Sequence, residues 1–597
     1  VFTLGLRRDY IRNRGGVNSI DFHPGCDTVN YQRGWPHFVA RASRPCRAFS
    51  GTGEMPVLQK RIDLLKTALA RQDGRGRLGL PLLLLTLLWE KDVPMISLPE
   101  LLRCLPLVYS PTRIPEIEVT GIVEDSRLVQ AGNLFVARGG THTDGAKHLD
   151  QARARGAIAV VTAAAIPGCT LAQIMVPDPG AALSLLANRF FGNPSRQVRT
   201  LGVTGTNGKT TTTYLIRHVL NHFSIRCGMV GTVEIDDGRS RYESSMTTPA
   251  AIEVAQLLAT MRSNACQACA METSSHSMHQ GRVAGVKFAG AAFTNLTGDH
   301  LDYHKTMEGY AAAKAQLFES LDETAVAAIN ADDPWAARMV RGCKARLMPF
   351  GFGDSAKYRA KDMKITAAGS TFILHTPDGQ ARIDLKLIGK HNIENALAAA
   401  ALLGEVFKLN VHQLAAGLKD AAGAPGRLQT VRAGQPFTVL VDYAHTDDAL
   451  KNVLTALRPL TRGRLRVLFG CGGDRDATKR PRMAKIAEQL ADAIYVTSDN
   501  PRTEDPQKIL DQVVAGFTNP VQRPLVVEID RRRAIEQILG DAEPQDIVLI
   551  AGKGHENYQI IGTTKHHFDD VEECKKILSA ARASGAVEGS GREVNAA

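Results

Sequence analysis

Apolar and polar positions along most of this chain follow one recurring order. A short apolar, β-prone run is followed by a polar or glycine-rich turn, then by apolar residues at helical spacing. The order is clearest at Thr200–Val203, which leads into Gly205-Thr-Asn-Gly-Lys-Thr210 and a helix-compatible segment, Thr211–Leu220. Strands are predicted at Ile117–Glu124, Asn133–Ala137, Ala157–Val161 and Gln173–Val176, alternating with helices in a small α/β domain over 95–195. Strand–helix units fill 196–423, with apolar runs at Ala268–Met271, Ala289–Phe293 and Ala325–Ile329. That repetition predicts a mostly parallel sheet with a nucleotide at its carboxyl edge. A third domain, 424–585, opens after Ala424-Pro-Gly-Arg427, with strands expected at Phe437–Asp442, Arg466–Phe469, Ala493–Thr497, Leu525–Ile529 and Asp546–Ala551. The expected fold class is therefore α/β. Residues 586–597 are mostly Gly, Ser, Ala and charge, a composition that predicts disorder.

Residues 1–94 break the pattern. They are Arg-rich, lack steady periodicity and contain Asp73-Gly-Arg-Gly-Arg77. The apolar run Leu78–Trp89 includes Pro81 and is too short to span a bilayer, and no secretory signal pattern is evident. Met95 opens a start-like stretch, Ile96-Ser-Leu-Pro-Glu-Leu-Leu102. The first 94 residues are expected to be an extension without a role in catalysis, or an upstream misreading of the start.

Composition narrows the function. A chain of 597 residues is too long for one core. The net charge of +11 invites a nucleic-acid reading, but residues 1–94 hold 15 Lys and Arg against 8 Asp and Glu, so the rest carries only +4. With aromatics at 6%, a basic nucleic-acid-binding ATPase is a poor fit, and no nucleic-acid partner is expected. Ten scattered cysteines suggest reduced thiols in a cytosol; the lone Cys266-Gln-Ala-Cys269 fits core packing better than zinc or redox work.

The chemistry centres on the glycine turn. Strand, Gly-Lys-Thr turn and helix are the context of a phosphate-binding loop, in which Lys209 reaches the β- and γ-phosphates and Thr210 ligates Mg²⁺. A glycine is usual five residues before Gly208, where this chain has Val203. A turn that binds nothing is the plain alternative. Four polar clusters fall at expected strand ends: Met246-Thr-Thr-Pro249, Met271-Glu-Thr-Ser-Ser-His276, Thr294-Asn-Leu-Thr-Gly-Asp-His300 and Ile329-Asn-Ala-Asp-Asp333. Each alone could be a capped turn, but a shared site explains them together.

Further motifs complete the set: Tyr310-Ala-Ala-Ala-Lys314, Gly389-Lys-His-Asn-Ile-Glu-Asn395, Asp442-Tyr-Ala-His445, Gly472-Gly-Asp-Arg-Asp476, Asp499-Asn-Pro-Arg502 and Gly552-Lys-Gly-His-Glu556. In this order, over about 95–585, they resemble the Mur ligases, ATP-dependent amide-forming enzymes of peptidoglycan synthesis. The resemblance implies a three-domain architecture with a central P-loop ATPase domain and a Rossmann-like C-terminal domain. It implies cytoplasmic work without stable membrane insertion, as a monomer. One departure is Asp447, where proline is usual; residues 1–94 have no counterpart.

Beside the Mg²⁺ on Thr210, Glu272 and His300 are a hard oxygen ligand and an imidazole suited to a second Mg²⁺, and by resemblance a carbamylated Lys314 completes that second site. Gly205, Thr206, Asn207, Gly208, Lys209, Thr210, Thr211, Asn295, Asn392, Asn395, Arg427 and Asp442 would hold ATP. Ser126 and the turn Thr141-His142-Thr143 resemble uridine contacts; Thr247, Thr248, Ser274, Gln280 and Arg282 resemble contacts to a muramoyl dipeptide. The implied acceptor is UDP-N-acetylmuramoyl-L-alanyl-D-glutamate. The added residue is implied by Arg475, Asp499, Asn500, Pro501, Arg502, Gly552 and Glu556: the Asp-Asn-Pro-Arg pattern accompanies family members that add meso-2,6-diaminopimelate. A lysine-adding ligase and folylpolyglutamate synthetase are the enzyme alternatives; the latter lacks the first, uridine-binding domain.

Overall fold

The computed structural model describes residues 17–20, 29–32, 95–105, 108–139, 145–518 and 523–583. The 141–143 turn and the 586–597 tail lie outside the described residues. The chain divides into two compact units, Val1–Glu90 and Lys91–Ala597. In the first, Val17–Ile20 pairs antiparallel with Val29–Gln32.

In the second unit, β1 (Gly121–Val123), β2 (Asn133–Val136), β3 (Ala159–Thr162) and β4 (Ala172–Met175) form a parallel sheet in that order. The strand predicted over Ile117–Glu124 divides in two. Glu118–Val119 pairs with Ile96–Ser97, and Thr120 turns the chain: its N–H donates to Gly132 O at 3.0 Å and its hydroxyl to Ala131 O at 3.0 Å. Helix α1 (Pro179–Phe190), capped by the Asp178 carboxylate on two backbone N–H groups, leads to the next sheet.

The central sheet contains β5 (Arg199–Thr204), β6 (Cys227–Val230), β7 (Glu234–Asp236), β8 (Arg241–Glu243), β9 (Ala268–Glu272), β10 (Phe288–Phe293), β11 (Val326–Asn330), β12 (Arg346–Gly351), β13 (Tyr358–Thr366), β14 (Gly369–Thr376) and β15 (Gly379–Leu385). Its order is β8-β7-β6-β9-β5-β10-β11-β12-β13-β14-β15. Pairing is parallel from β6 to β13 and antiparallel in the hairpins at each edge. Helices α2 (Lys209–His222) and α4 (Lys390–Phe407) bury Leu215, Val219, Leu397 and Leu402 in one core. Helix α3 (Met307–Glu319) buries Tyr310, Leu317 and Phe318 in another. Strands covered this way carry apolar residues without alternation, which is why β9 and β11 read as continuous apolar runs.

The last sheet contains β16 (Gln429–Val431), β17 (Thr438–Asp442), β18 (Leu465–Phe469), β19 (Ala493–Thr497), β20 (Leu525–Glu528) and β21 (Ile547–Ala551), ordered β16-β17-β21-β18-β19-β20. Only β16 is antiparallel. Helix α5 (Asp447–Leu457) follows β17; Asp447 opens it beside the Thr446 cap and pairs with Arg482 at 2.8 Å, so the aspartate suits its place. A hairpin, β22 (Tyr558–Ile561) and β23 (Thr564–His567), follows β21. Among the described residues no helix is long and apolar enough to cross a membrane.

Candidate active site

The P-loop lies where β5 ends and α2 begins. Gly208 has φ +87°, and a Cβ there would collide with the Asn395 side chain. Asn395 Nδ2 donates to Asn392 Oδ1 at 3.1 Å, and Asn392 Nδ2 to Ile388 O at 2.8 Å, so α4 braces the loop from behind. On the other side Asn207 N donates to Asn295 Oδ1 at 2.9 Å, and Thr206 N to Asn295 O at 2.8 Å. Thr211 is buried at the start of α2.

Lys209 Nζ donates to Gly205 O and Thr206 O, both at 2.9 Å. Burial lowers its ammonium's pKa, while Glu272 and Asp299 oppose that shift. Glu272, at the end of β9, is buried; it accepts from Thr210 Oγ1 at 3.1 Å, Thr232 N at 2.8 Å and Thr232 Oγ1 at 3.0 Å. Lys314 of α3 is 1% exposed and donates to Gly205 O at 2.8 Å, with Tyr310 under its Nζ. Burial, then the charge of Lys209, pushes Lys314 well below the usual lysine range. That burial exceeds the partial burial its apolar helical neighbours suggest.

His300 is half-exposed in a left-handed turn at φ 54°. Its ring meets His276 at 4.9 Å and Tyr310 at 6.1 Å. Burial lowers its pKa, and Lys209 and Lys314 add to that. It makes no hydrogen bond to Glu272 or Lys314 among the described contacts. No group of three His, Cys, Asp or Glu side chains among the described residues is placed to hold a metal. The Thr210 hydroxyl against the Glu272 carboxylate is nevertheless a hard-oxygen pair beside a phosphate-binding turn. It suits a Mg²⁺ that keeps most of its waters and takes the rest of its shell from substrate.

The four polar clusters are knit together. Thr248 Oγ1 donates to Glu272 O at 2.8 Å, Asn330 Nδ2 to Thr294 O at 2.7 Å, and Leu296 N to Asp333 Oδ2 at 2.9 Å. Thr247 Oγ1 lies 3.1 Å from Thr232 Oγ1, whose proton goes to Glu272, and Ser274 N donates to Thr248 Oγ1 at 3.1 Å. Arg282 donates to Gln280 Oε1 at 2.6 and 3.0 Å and to Thr248 O at 2.8 Å. Burial lowers the Arg282 pKa; Arg138 acts in the same sense and Glu124 against it. Ser126 is buried and donates to Gln151 at 2.6 Å.

Loops of the last sheet form a third group. Asp442 accepts from Leu428 N at 2.7 Å and Ala444 N at 2.8 Å. Arg427 lies 4.8 Å over the Tyr443 ring, with its Nε buried and unbonded. Arg502, at φ 52°, donates from Nη1 to Gly473 O at 2.8 Å. Its backbone is clamped by the hairpin: Arg502 N donates to Ile560 O at 3.0 Å and Gly562 N to Arg502 O at 2.7 Å. The nearby acids are used elsewhere, since Glu504 pairs with Arg480 at 2.9 Å and Asp505 caps the next helix. Arg475 is exposed and donates to Asp474 O at 3.3 Å; Pro501 and Gly552 shape the adjoining loops. Asn500 Nδ2 donates to Glu556 Oε2 at 2.8 Å. Lys565 of the hairpin reaches Glu243 of β8 at 3.3 Å, joining the last sheet to the central one.

Sequence reasoning missed two residues. Thr232 binds both Glu272 oxygens, but a threonine after a glycine carries no distinguishing signal. Lys553 is fully buried between Asp499 and Glu556, although a lysine in a glycine-rich turn reads as exposed.

A parallel sheet with a Gly-Lys-Thr turn at the end of its inner strand β5, met by loops of a second parallel sheet, defines the class of P-loop α/β proteins. Three family models match: Mur ligase family, catalytic domain, over 118–191; Mur ligase middle domain, over 203–403; and Mur ligase, glutamate ligase domain, over 426–554. The UDP-N-acetylmuramoyl-L-alanyl-D-glutamate--2,6-diaminopimelate ligase of Gloeobacter violaceus is 45% identical over 477 residues, 79% of this chain and 96% of that protein. The ligase of the same name from Bacillus cereus is 41% identical over 468 residues, 77% of this chain and 94% of that protein. A solved structure of a ligase of this name matches with TM-score 0.63 at 33% identity, over 82% of this chain and 100% of that one. The chain belongs to the Mur ligase family.

Proposed function

We propose that this chain is an ATP-dependent ligase that joins meso-2,6-diaminopimelate to UDP-N-acetylmuramoyl-L-alanyl-D-glutamate. The observation that carries the reading is the convergence of Lys209, Thr210, Glu272 and Lys314 at one sheet edge. The relatives' names supply the substrates.

A carboxylate is a poor electrophile, so the glutamyl carboxylate first takes the γ-phosphoryl group of ATP and ADP leaves. The amine of diaminopimelate then attacks the acyl phosphate, the amide bond forms, and phosphate departs with its electron pair. The first transfer needs positioning and charge neutralisation more than covalent help. The P-loop glycines, Lys209, Asn207 and Asn295 hold the phosphates, while Asn392, Asn395, Arg427 and Asp442 hold the nucleotide between two sheets. Thr210 would hold one Mg²⁺, and Glu272, His300 and carbamylated Lys314 a second, which would supply charge neutralisation for the transferring phosphoryl group. Ser126, Thr247, Thr248, Ser274, Gln280 and Arg282 orient the acceptor; Arg502 and Glu556 receive the incoming amino acid. Closure of the last sheet's loops over the P-loop would exclude water from the acyl phosphate.

The test is ADP release with the UDP-muramoyl dipeptide and each of several amino acids. Turnover only with diaminopimelate is expected. Equal turnover with lysine would make this a lysine-adding ligase, and ADP release that ignores the acceptor would end the reading.

A further inference from the structure

Lys553 has no exposed surface and lies among Asp499, Asn500 and Glu556, three residues of the proposed amino-acid pocket. Its Nζ is 3.5 Å from Asp499 Oδ1, 3.4 Å from Glu556 Oε2 and 3.4 Å from Asn500 Oδ1, with the Tyr558 ring beyond. These distances are long for any single hydrogen bond, so the ammonium is centred among three oxygens from two loops. The same Glu556 oxygen accepts from Asn500, and Asn500 Oδ1 also accepts from Ile560 N at 2.9 Å. Lys553 therefore ties together the loop after β19, the loop after β21 and the hairpin that clamps Arg502.

The charge count is instructive. Asp499, Glu556 and Lys553 together carry one negative charge in excess, with Arg531 and Lys479 acting on Asp499 from outside the three. Asp499 Oδ1 is buried without a hydrogen-bond donor, and Glu556 Oε1 takes part in none of the bonds described. Excess negative charge shared over one ammonium in a largely enclosed place is costly, and an incoming ammonium would relieve it.

We infer that Lys553 is a positioning residue of the amino-acid pocket, holding Asn500 and Glu556 in register and keeping Glu556 anionic to receive one substrate ammonium. The inference rests on the proposed ligase reading. Without Lys553 the two carboxylates would share a proton: the net charge would stay at one negative, but it would be divided between Asp499 and Glu556, and Glu556 would no longer be held ionised to receive the substrate. Burial and Asp499 raise the Glu556 pKa, against Lys553 and Asn500; for Asp499, burial is outweighed by Lys553 and Arg531. The other titratable groups facing the pair are Tyr443, His445, Cys471 and Lys479.

The experiment compares full-length wild type, Lys553→Met, Lys553→Gln, Glu556→Gln and the Lys553→Met/Glu556→Gln double variant, with KM for each substrate and the pH profile of kcat/KM for diaminopimelate. Lys553→Met should raise KM for diaminopimelate at least about tenfold, leave KM for ATP within about twofold, and move the acid limb upward by about one pH unit. In the Glu556→Gln background the same change should cost no more than about threefold further. Lys553→Gln, which keeps a hydrogen-bonding group, carries the same prediction for the acid limb should Lys553→Met not fold. An unmoved KM and acid limb, or additive losses in the double variant, would overturn the inference. Wild type that ignores diaminopimelate would instead overturn the ligase assignment.

Discussion

Lys209 and Lys314 donate to the same backbone oxygen, Gly205 O, at 2.9 and 2.8 Å. One ammonium comes from the P-loop helix and the other from α3, across the sheet. Both are buried, which makes either charge costly, and Lys209 adds to that cost at Lys314. Glu272 and Asp299 offset that for Lys209, whereas for Lys314 burial dominates and Asp299 alone opposes it. A neutral amine is the form that adds CO₂, and the resulting carbamate would replace a cation with an anionic oxygen ligand.

Lys314→Ala should therefore be nearly inactive and partly rescued by acetate. Because the folded-state pKa is depressed, the neutral amine persists to lower pH than for a free lysine, and carbamate is lost as pH falls. Activity of the wild type in CO₂-depleted buffer should decline, more at low pH, and return with bicarbonate. Full activity in Lys314→Ala would rule the carbamate out.

Stability offers a second test. Arg531 and Asp570 form a fully buried ion pair, with bonds of 2.8 and 2.7 Å, and Arg531 also donates to Ala551 O at 3.0 Å. Removing one partner strands a buried charge, so Arg531→Met should cost about 3–5 kcal/mol in urea unfolding. The Arg531→Met/Asp570→Leu double variant should recover part of that. A loss under about 1 kcal/mol would show that the pair is relaxed by water.

Much of the fold was legible because parallel strands covered on both faces leave continuous apolar runs, and the polar residues after them mark the site edge. Ala268–Met271 and Ala325–Ile329 became β9 and β11, and the clusters that follow them meet around the P-loop. Thr120 was not legible as a break, since its turn depends on acceptors at Ala131 and Gly132 that only folding brings near. Lys553 and Thr232 were missed for the same reason: their roles depend on partners supplied by other strands.

A chain beginning at Met95 should keep full ligase activity. The matched family models begin at residue 118, and the unit Val1–Glu90 is compact by itself. ADP release by the shortened protein, compared with the full chain at equal concentration, is the measurement. A soluble but inactive shortened protein would refute this.

The choice between diaminopimelate and lysine is expected to turn on Arg502. The two amino acids differ by one carboxylate beside the distal amine, and a planar guanidinium is the group best shaped to bind it in two places. Arg502 could have been neutralised by Glu504 or Asp505, but Glu504 is held by Arg480 and Asp505 caps a helix. Its Nη1 is fixed on Gly473 O, and its backbone is locked to Ile560 and Gly562, so the cation is pre-oriented without an acidic partner among the described residues. Glu556 is the residue expected to receive the ammonium. Binding lysine would leave the guanidinium without its anion, a penalty of several kcal/mol if fully enclosed. Wild type should prefer diaminopimelate by at least about a hundredfold in kcat/KM, on the order of 3 kcal/mol in transition-state binding. Arg502→Ala should lose most of that preference, chiefly through diaminopimelate. Measured kcat/KM for both amino acids decides it: equal use of lysine by the wild type, or an undiminished preference in Arg502→Ala, would assign the selectivity to another residue.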